Sequence, residues 1–373
     1  MQTQVGNKPG QGGILTWLTA NVGRLLISLF VPVVTFLVLW QGFLFLRDSK
    51  APQAVVVLVA VIWGVGGVAL LYVVANWLVE KLPGEISRRI QPFVFVGPGV
   101  AILTWYLVVP VIRTLILSFK DDIGQGWVGL DNYIFAFTDR VMLESFRNNL
   151  LWMIVGTSFS VGLGLLIAVL ADRSRFENVY KAIIFMPMAI SFVGAGVIWK
   201  FVYTYKGTGA GIEEIGLINA IILALGGESQ PWLQIPPWNN LLLIVIMVWL
   251  QTGYAMVIIS SAIKGVPEEL LEAARIDGAN EVKAFFSITV PFIQGTLLTV
   301  TTTVVIFSLK LFDIVRVMTG GNYGTNVIAN EFYLQSFTYN QAGRASAIAI
   351  VLLLAATPVI IYNLRQFSER RAF

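Results

Sequence analysis

Three observations predict an all-α, polytopic integral membrane protein with about eight transmembrane helices. First, of 373 residues 57% are hydrophobic and only 12% are charged, and the mean hydropathy is +0.78. A soluble domain carries about 25% charged residues, so this chain lacks the polar surface to face water on all sides. Second, apolar runs of about 20 residues recur, long enough to cross the hydrocarbon core of a bilayer. Third, the charged residues gather in the connectors between those runs. There is no cysteine and no histidine. Disulfides, thiolate metal sites and imidazole acid–base chemistry are thereby excluded within the chain, and no metal-ligating set is expected. The net charge of +4 is modest. Lys and Arg are expected in the cytoplasmic loops of membrane proteins, so no nucleic-acid partner is implied.

Taken in order, residues 1–21 are polar and glycine-rich and read as a flexible segment, without the basic region and small-residue cleavage site of a signal peptide. Residues 22–90 hold two additional N-terminal spans, at about 25–46 and 55–79, and a charged connector from 80 to 91. Trp63, Tyr72 and Trp77 are candidate interface anchors. Residues 91–373 hold six more spans. The third, 93–119, carries Arg113 near one end, where it can snorkel. The loop 120–147 reads as short turns and a surface helix. The fourth span, 150–171, has Gly156, Gly162 and Gly164 for close helix contact. The fifth, 182–203, contains Pro187, Gly194 and Gly196 and reads as kinked. An extended loop, 206–240, leads to the sixth span, 241–262. The seventh, 292–318, and the eighth, 347–364, are joined by a loop in which Gly320 and Gly321 mark a tight turn. Eight spans place both termini on the side of the 264–291 loop. Fourteen Lys and Arg fall on that side against nine on the other, a bias that makes it the cytoplasmic side.

The loop 264–291 is the one long polar interruption of the apolar C-terminal half. Pro267 fits the first position of a helix, where its missing N–H costs nothing. Glu268, Glu269 and Glu272 suit the positive end of the helix dipole. Leu270, Leu271, Ala273, Ala274 and Ile276 give the helix an apolar side. Gly278 can take the left-handed conformation that stops it. Asn280 then caps a second helix, Glu281 to Thr289, which is expected to lead back toward the membrane until Pro291. With Asp277 and Glu281 the resulting knob is acidic.

Glu272-Ala273-Ala274, three residues, Gly278, nine residues, Ile288, one residue and Val290-Pro291 together resemble the cytoplasmic EAA loop of ABC-importer permeases. The usual final Leu-Pro is Val-Pro here. The stretches GLDNY, RNNLLW, FMPMAISFVGAGVIWK, SLKLFDIVRVMTGG and GRASAIAIVLLL resemble carbohydrate permeases of the maltose-permease type, above all the α-glucoside and glucosylglycerol permeases. The likeness covers residues 91–373. It implies a non-catalytic membrane subunit of an ATP-driven importer in the bacterial inner membrane, for a sugar or sugar-like compatible solute such as an α-glucoside, glucosylglycerol, trehalose or sucrose. It further implies a heterodimer with a second permease, two ATPase subunits and an extracytoplasmic solute-binding protein. ATP and Mg would bind those ATPases, because no G-x-x-x-x-G-K-[ST] occurs in this chain. Glu268, Glu269, Glu272, Ala273, Ala274, Asp277 and Gly278 would carry the coupling to the ATPases.

A sugar site needs hydrogen-bonding groups and aromatic faces within an apolar bundle. The sixth span offers Trp249, Gln251 and Tyr254; Tyr254 falls on a tyrosine of the maltose-type pattern, whereas Gln251 stands where that pattern has glycine. The seventh offers Ser308, Lys310 and Asp313; Ser308 falls on a polar position of the same pattern. Lys310 and Asp313, three apart, are also placed to pair on one helical face. The alternative function is an ion-coupled secondary sugar transporter, which should show an internal repeat and unwound mid-span segments with ionisable residues. A membrane enzyme would need clustered catalytic groups, and the chain shows none.

Overall fold

The computed structural model describes residues 14–81, 84–172, 174–207 and 215–369. Among the described residues every regular element is a helix, apart from one isolated bridge, Lys120 to Trp127. Residues 1–13 of the segment expected to be flexible lie outside them, and the first helix already begins at Ile14. The chain divides into two compact units, 1–110 and 111–373.

The first unit holds α1 (Ile14–Asp48), α2 (Gln53–Glu80) and the start of α3 (Gly84–Leu103). Helix α1 lies on α2 because Gly42 leaves room for the indole of Trp63, and Gly67 for Leu39. Helix α2 holds α3 through Tyr72, which stacks on Phe95 at 6.0 Å and donates to its carbonyl at 3.1 Å. The connector expected at 80–91 is short, since the helix resumes at Gly84. Helix α3 continues through a π turn, Thr104–Val108, into Val109–Leu117.

The second unit is built around α9 (Trp238–Ile263), with 56% of its most apolar stretch buried. Before it come α4 (Asp131–Thr138), α5 (Arg140–Leu151), α6 (Glu177–Phe185), α7 (Phe192–Tyr203) and α8 (Leu217–Ala224). Helix α5 runs on through a π turn, Trp152–Gly156, into Thr157–Asp172. It starts earlier than residue 150 because Asp139 caps it, accepting from Val141 N at 2.9 Å. Helices α6 and α7 together are long and apolar enough for one span, and they meet at a bend of 101°. The kink anticipated from Pro187 is a full break, in which Met186–Ala189 forms a 3-10 turn and Ser191 caps α7. Glycine sets the closest contacts of α9, with Gly164 against Ala255 and Gly253 against the Ile184 carbonyl.

After α9 come α10 (Glu268–Ile276) and α11 (Glu281–Ala284), which passes through a π turn, Phe285–Thr289, into Val290–Leu309. They are followed by α12 (Asp313–Met318), α13 (Ile328–Tyr333) and α14 (Ala342–Glu369). The seventh span therefore ends at Leu309, not at 318. The Leu309 carbonyl accepts from Asn149 Nδ2 at 3.2 Å instead of from the next helical turn. Buried asparagines also fix the loop after α12. Asn148 donates to the carbonyls of Gly324 and Asn326, and Asn239 to that of Tyr323. Gly320 and Gly321 make the expected turn with φ of 68° and 90°. Among the described residues, seven helices are long and apolar enough to cross a membrane, and the bent pair makes eight.

Candidate functional site

Two places in the second unit carry the chemistry anticipated from the sequence. The first is the knob formed by α10 and the start of α11. Pro267 stands one place before the helix, as its N-cap, so that Glu268 and Glu269 open the first turn. At the far end Gly278 adopts φ 80°. Gly278 N then reaches the Arg275 carbonyl at 3.0 Å and Ala279 N the Ala274 carbonyl at 2.9 Å. This is a Schellman ending, which satisfies carbonyls that the last turn leaves open. The Asn280 side chain accepts from Lys283 N at 2.8 Å and starts α11. Pro291 does not end this helix. It sits in the first turn after the π turn, where a missing N–H is absorbed, and the helix continues to Leu309.

The knob is only lightly held. Ala274 is buried and Leu271 partly so, whereas Glu268, Glu269, Glu272, Ala273, Asp277 and Gly278 are all exposed. The apolar side expected of α10 is split, because Leu270 and Ile276 face outward and Val282 and Phe286 join them. Arg275 Nε donates to Glu281 Oε1 at 3.0 Å, which raises the guanidinium pKa further above its ordinary value. Beneath the knob a cavity of about 510 Å³ lies against Asp172, Arg275, Glu281 and Phe285. Asp172, part of that lining, belongs to an ionic cluster. Lys181 Nζ binds Asp172 and Glu177, both at 2.5 Å, and Ser260; Glu177 also binds Lys264, just ahead of the knob. These contacts tie the ends of α5, α6 and α9 together.

The second place is a cavity of about 300 Å³ at the break between α6 and α7. Gln251 and Tyr254 of α9 line it, three residues apart and so on one helical face. Met188, Ile190 and Phe192 come from the break, and Thr303 and Phe307 from α11. Those five were not anticipated. Only Phe192 and Phe307, whose rings lie 4.7 Å apart, carried an aromatic signal, and they were indistinguishable from other apolar positions. The Thr303 hydroxyl donates to the Thr299 carbonyl at 2.8 Å, and its oxygen can still accept.

The other expected site residues are elsewhere. The Trp249 ring packs edge-on against Trp199 at 5.7 Å, within a group that includes Tyr203. Ser308 is 1% exposed, and its hydroxyl donates to the Val305 carbonyl. Lys310 is exposed just past the end of α11, and Asp313 opens α12. They do not share a helix, because residues 310–312 interrupt it, and no ion pair joins them among the described residues.

A bundle of membrane-crossing helices, with a small mixed cavity and an exposed helical knob at one end, defines a polytopic membrane protein of the permease class. Residues 160–373 match the family described as "Binding-protein-dependent transport system inner membrane component", and the chain belongs to it. It is thus a permease subunit of an ABC importer, and the ion-coupled alternative is not favoured. The chain is 55% identical over 276 residues to the osmoprotective compounds uptake permease protein GgtC of Synechocystis sp.. That match covers 74% of this chain and 98% of GgtC. It is 49% identical over 286 residues to the α-glucoside transport system permease protein AglF of Rhizobium meliloti, covering 76% of this chain and 84% of AglF. The same fold occurs in a chain from the crystal structure of a bacterial alginate ABC transporter in complex with an alginate pentasaccharide-bound periplasmic protein. The TM-score is 0.65 at 18% identity, over 74% of this chain and 94% of that chain.

Proposed function

We propose that this permease imports an α-glucoside or a glucosylglycerol-like compatible solute, and that the knob at 264–291 couples it to ATPase subunits. The observation that carries the substrate reading is the joint placement of Gln251 and Tyr254 in one cavity with Phe192, Phe307 and Thr303. An amide, a phenol and a hydroxyl suit sugar hydroxyls, and aromatic rings suit the C–H face of a pyranose. The names of GgtC and AglF point to the same solute class. For coupling, the support is the exposed surface of the knob, where Glu268, Glu269, Glu272 and Asp277 lie beside Leu270 and Ile276. Such a surface suits a groove with basic rims and an apolar floor.

In this reading two ATPase subunits bind ATP and Mg, a second permease completes the pathway, and a solute-binding protein delivers cargo outside. Both termini lie on the cytoplasmic side with the knob. ATP-driven closure would move the knobs, and the bundle would alternate its opening. The test is ATPase activity of the transporter reconstituted with its partner subunits and binding protein. α-Glucosides, trehalose, sucrose and glucosylglycerol are offered in turn. Stimulation by one of them is expected, and Gln251→Leu should raise the concentration needed. Stimulation by none, or failure of the chain to associate with any ATPase, would overturn the reading.

A further inference from the structure

Helix α8, Leu217–Ala224, is built inside out for a surface helix in water. Its one polar side chain, Asn219, is fully buried on the inner side. There the amide donates to the carbonyls of Thr204 and Gln230, both at 3.1 Å, and its oxygen accepts from Gln230 N and Trp232 Nε1. Ile218 packs beside it against the core. The outer side carries Leu217, Ala220, Ile221 and Ala224, spaced i, i+3, i+4, i+7, with Leu225 just beyond the helix. Leu217 is 56% exposed, Ile221 52% and Leu225 83%. No charged residue occurs from Ile215 to Gly227. A helix that buries its polar group and turns a whole apolar stripe outward has no reason to face water.

We propose that α8 is an interfacial anchor that lies in the headgroup–acyl boundary of the bilayer, on the side opposite the knob. Its place in the fold carries the choice of lipid over protein. It hangs between the end of α7 at Tyr203 and the start of α9 at Trp238, where a membrane-crossing helix begins, so it sits at the level of that span's end. Helix α9, with 26 residues, is about 39 Å long, against about 30 Å of hydrocarbon. Its Trp238 end therefore reaches the boundary region, and Tyr205 and Trp238, both exposed, mark that level as aromatic residues do. Asn219 holds the helix flat by tying it at both sides, to Thr204 after α7 and to Gln230 before α9.

The absence of native cysteine makes the test direct. Ala220→Cys and Ala224→Cys, both small and exposed, are labelled separately with a nitroxide in the assembled transporter. The complex is placed in nanodiscs of phosphatidylethanolamine and phosphatidylglycerol, and collisions with oxygen and with a water-soluble nickel chelate are measured. Severalfold more frequent oxygen than nickel collisions at both positions is the expected result. Nickel-dominated collisions would place α8 in water, and suppression of both would place a protein against it; either overturns the proposal.

Discussion

Gly253→Ala tests the packing on which the solute cavity depends. An alanine Cβ at 253 would stand 2.5 Å from the Ile184 carbonyl oxygen and 2.8 Å from Phe185 Cα. Both are backbone atoms and cannot rotate away. Ordinary contact begins near 3.4 Å, so α6 must withdraw from α9 by about 0.9 Å. Overpacking on this scale costs about 1–3 kcal/mol. For a body of this size about 2 kcal/mol lowers Tm by about 4–8 °C. The displaced segment leads into the break that carries Met188, Ile190 and Phe192, so the cavity wall moves away from Gln251 and Tyr254. Solute-stimulated ATPase activity should therefore need more solute as well. The control is Gly162→Ala, at a helical position with nothing within 4 Å of the added carbon. It should be neutral or gain up to about 1 kcal/mol from helix propensity. Thermal unfolding of the detergent-solubilised complex decides between them. If G253A melts no lower than G162A, the α6–α9 contact is looser than described and the reasoning fails.

Three further outcomes are expected. Gly278→Ala forces a left-handed residue to carry a Cβ at φ 80°, at a cost of about 1–2 kcal/mol, whereas Gly278→Asn tolerates that conformation better; coupled ATP hydrolysis should fall more in G278A than in G278N. Lys181→Met removes the amine shared by two largely buried carboxylates and leaves Asp172 without its ion-pair partner, while Lys264→Met removes an exposed amine of the kind that contributes about 0–1 kcal/mol; K181M should lower Tm clearly more. Asp121 accepts from Gln125 N at 2.8 Å and Gly126 N at 2.9 Å, and these hydrogen bonds hold its pKa below the ordinary carboxylate range. A lowered folded value means that the contribution is present above the unfolded pKa of about 3.9 and is lost as pH falls through the folded one. Amide-exchange protection of Gly126 should decline over that acid window in the wild-type protein and be already weaker at pH 7 in D121N.

The knob was readable because its signals are local. Asn280 and Gly278 act on backbone groups within a few residues, and both perform the roles their types imply. The break after Leu309 was not readable, because Leu311, Phe312, Ile314 and Val315 keep up an apolar pattern around Lys310 and Asp313. The group that takes up the last carbonyl, Asn149, lies 160 residues away in the chain. The cavity was half readable. Gln251 and Tyr254 announce themselves as polar or aromatic in an apolar span. Trp249, two residues before Gln251, points to the opposite side of the same helix, about 200° around. Helical spacing alone therefore separates Trp249 from the pair, although its chemistry suits a sugar equally well. Thr303 and Phe192 carry no mark of their own, and only the bend of 101° brings Phe192 to the site.

The uninterrupted helix from Glu281 to Leu309 makes the knob and one cavity wall two ends of a single lever. A pivot near Pro291, close to the knob, would make the arm toward Thr303 the longer one. Twelve residues of helix span about 18 Å, and a tilt of about 10° at the fulcrum would carry Thr303 sideways by about 3 Å. That is roughly the width of one hydroxyl-to-hydroxyl contact. A displacement at the knob too small to unmake any helix is thus enough to exchange a hydrogen-bonding distance in the cavity for a gap.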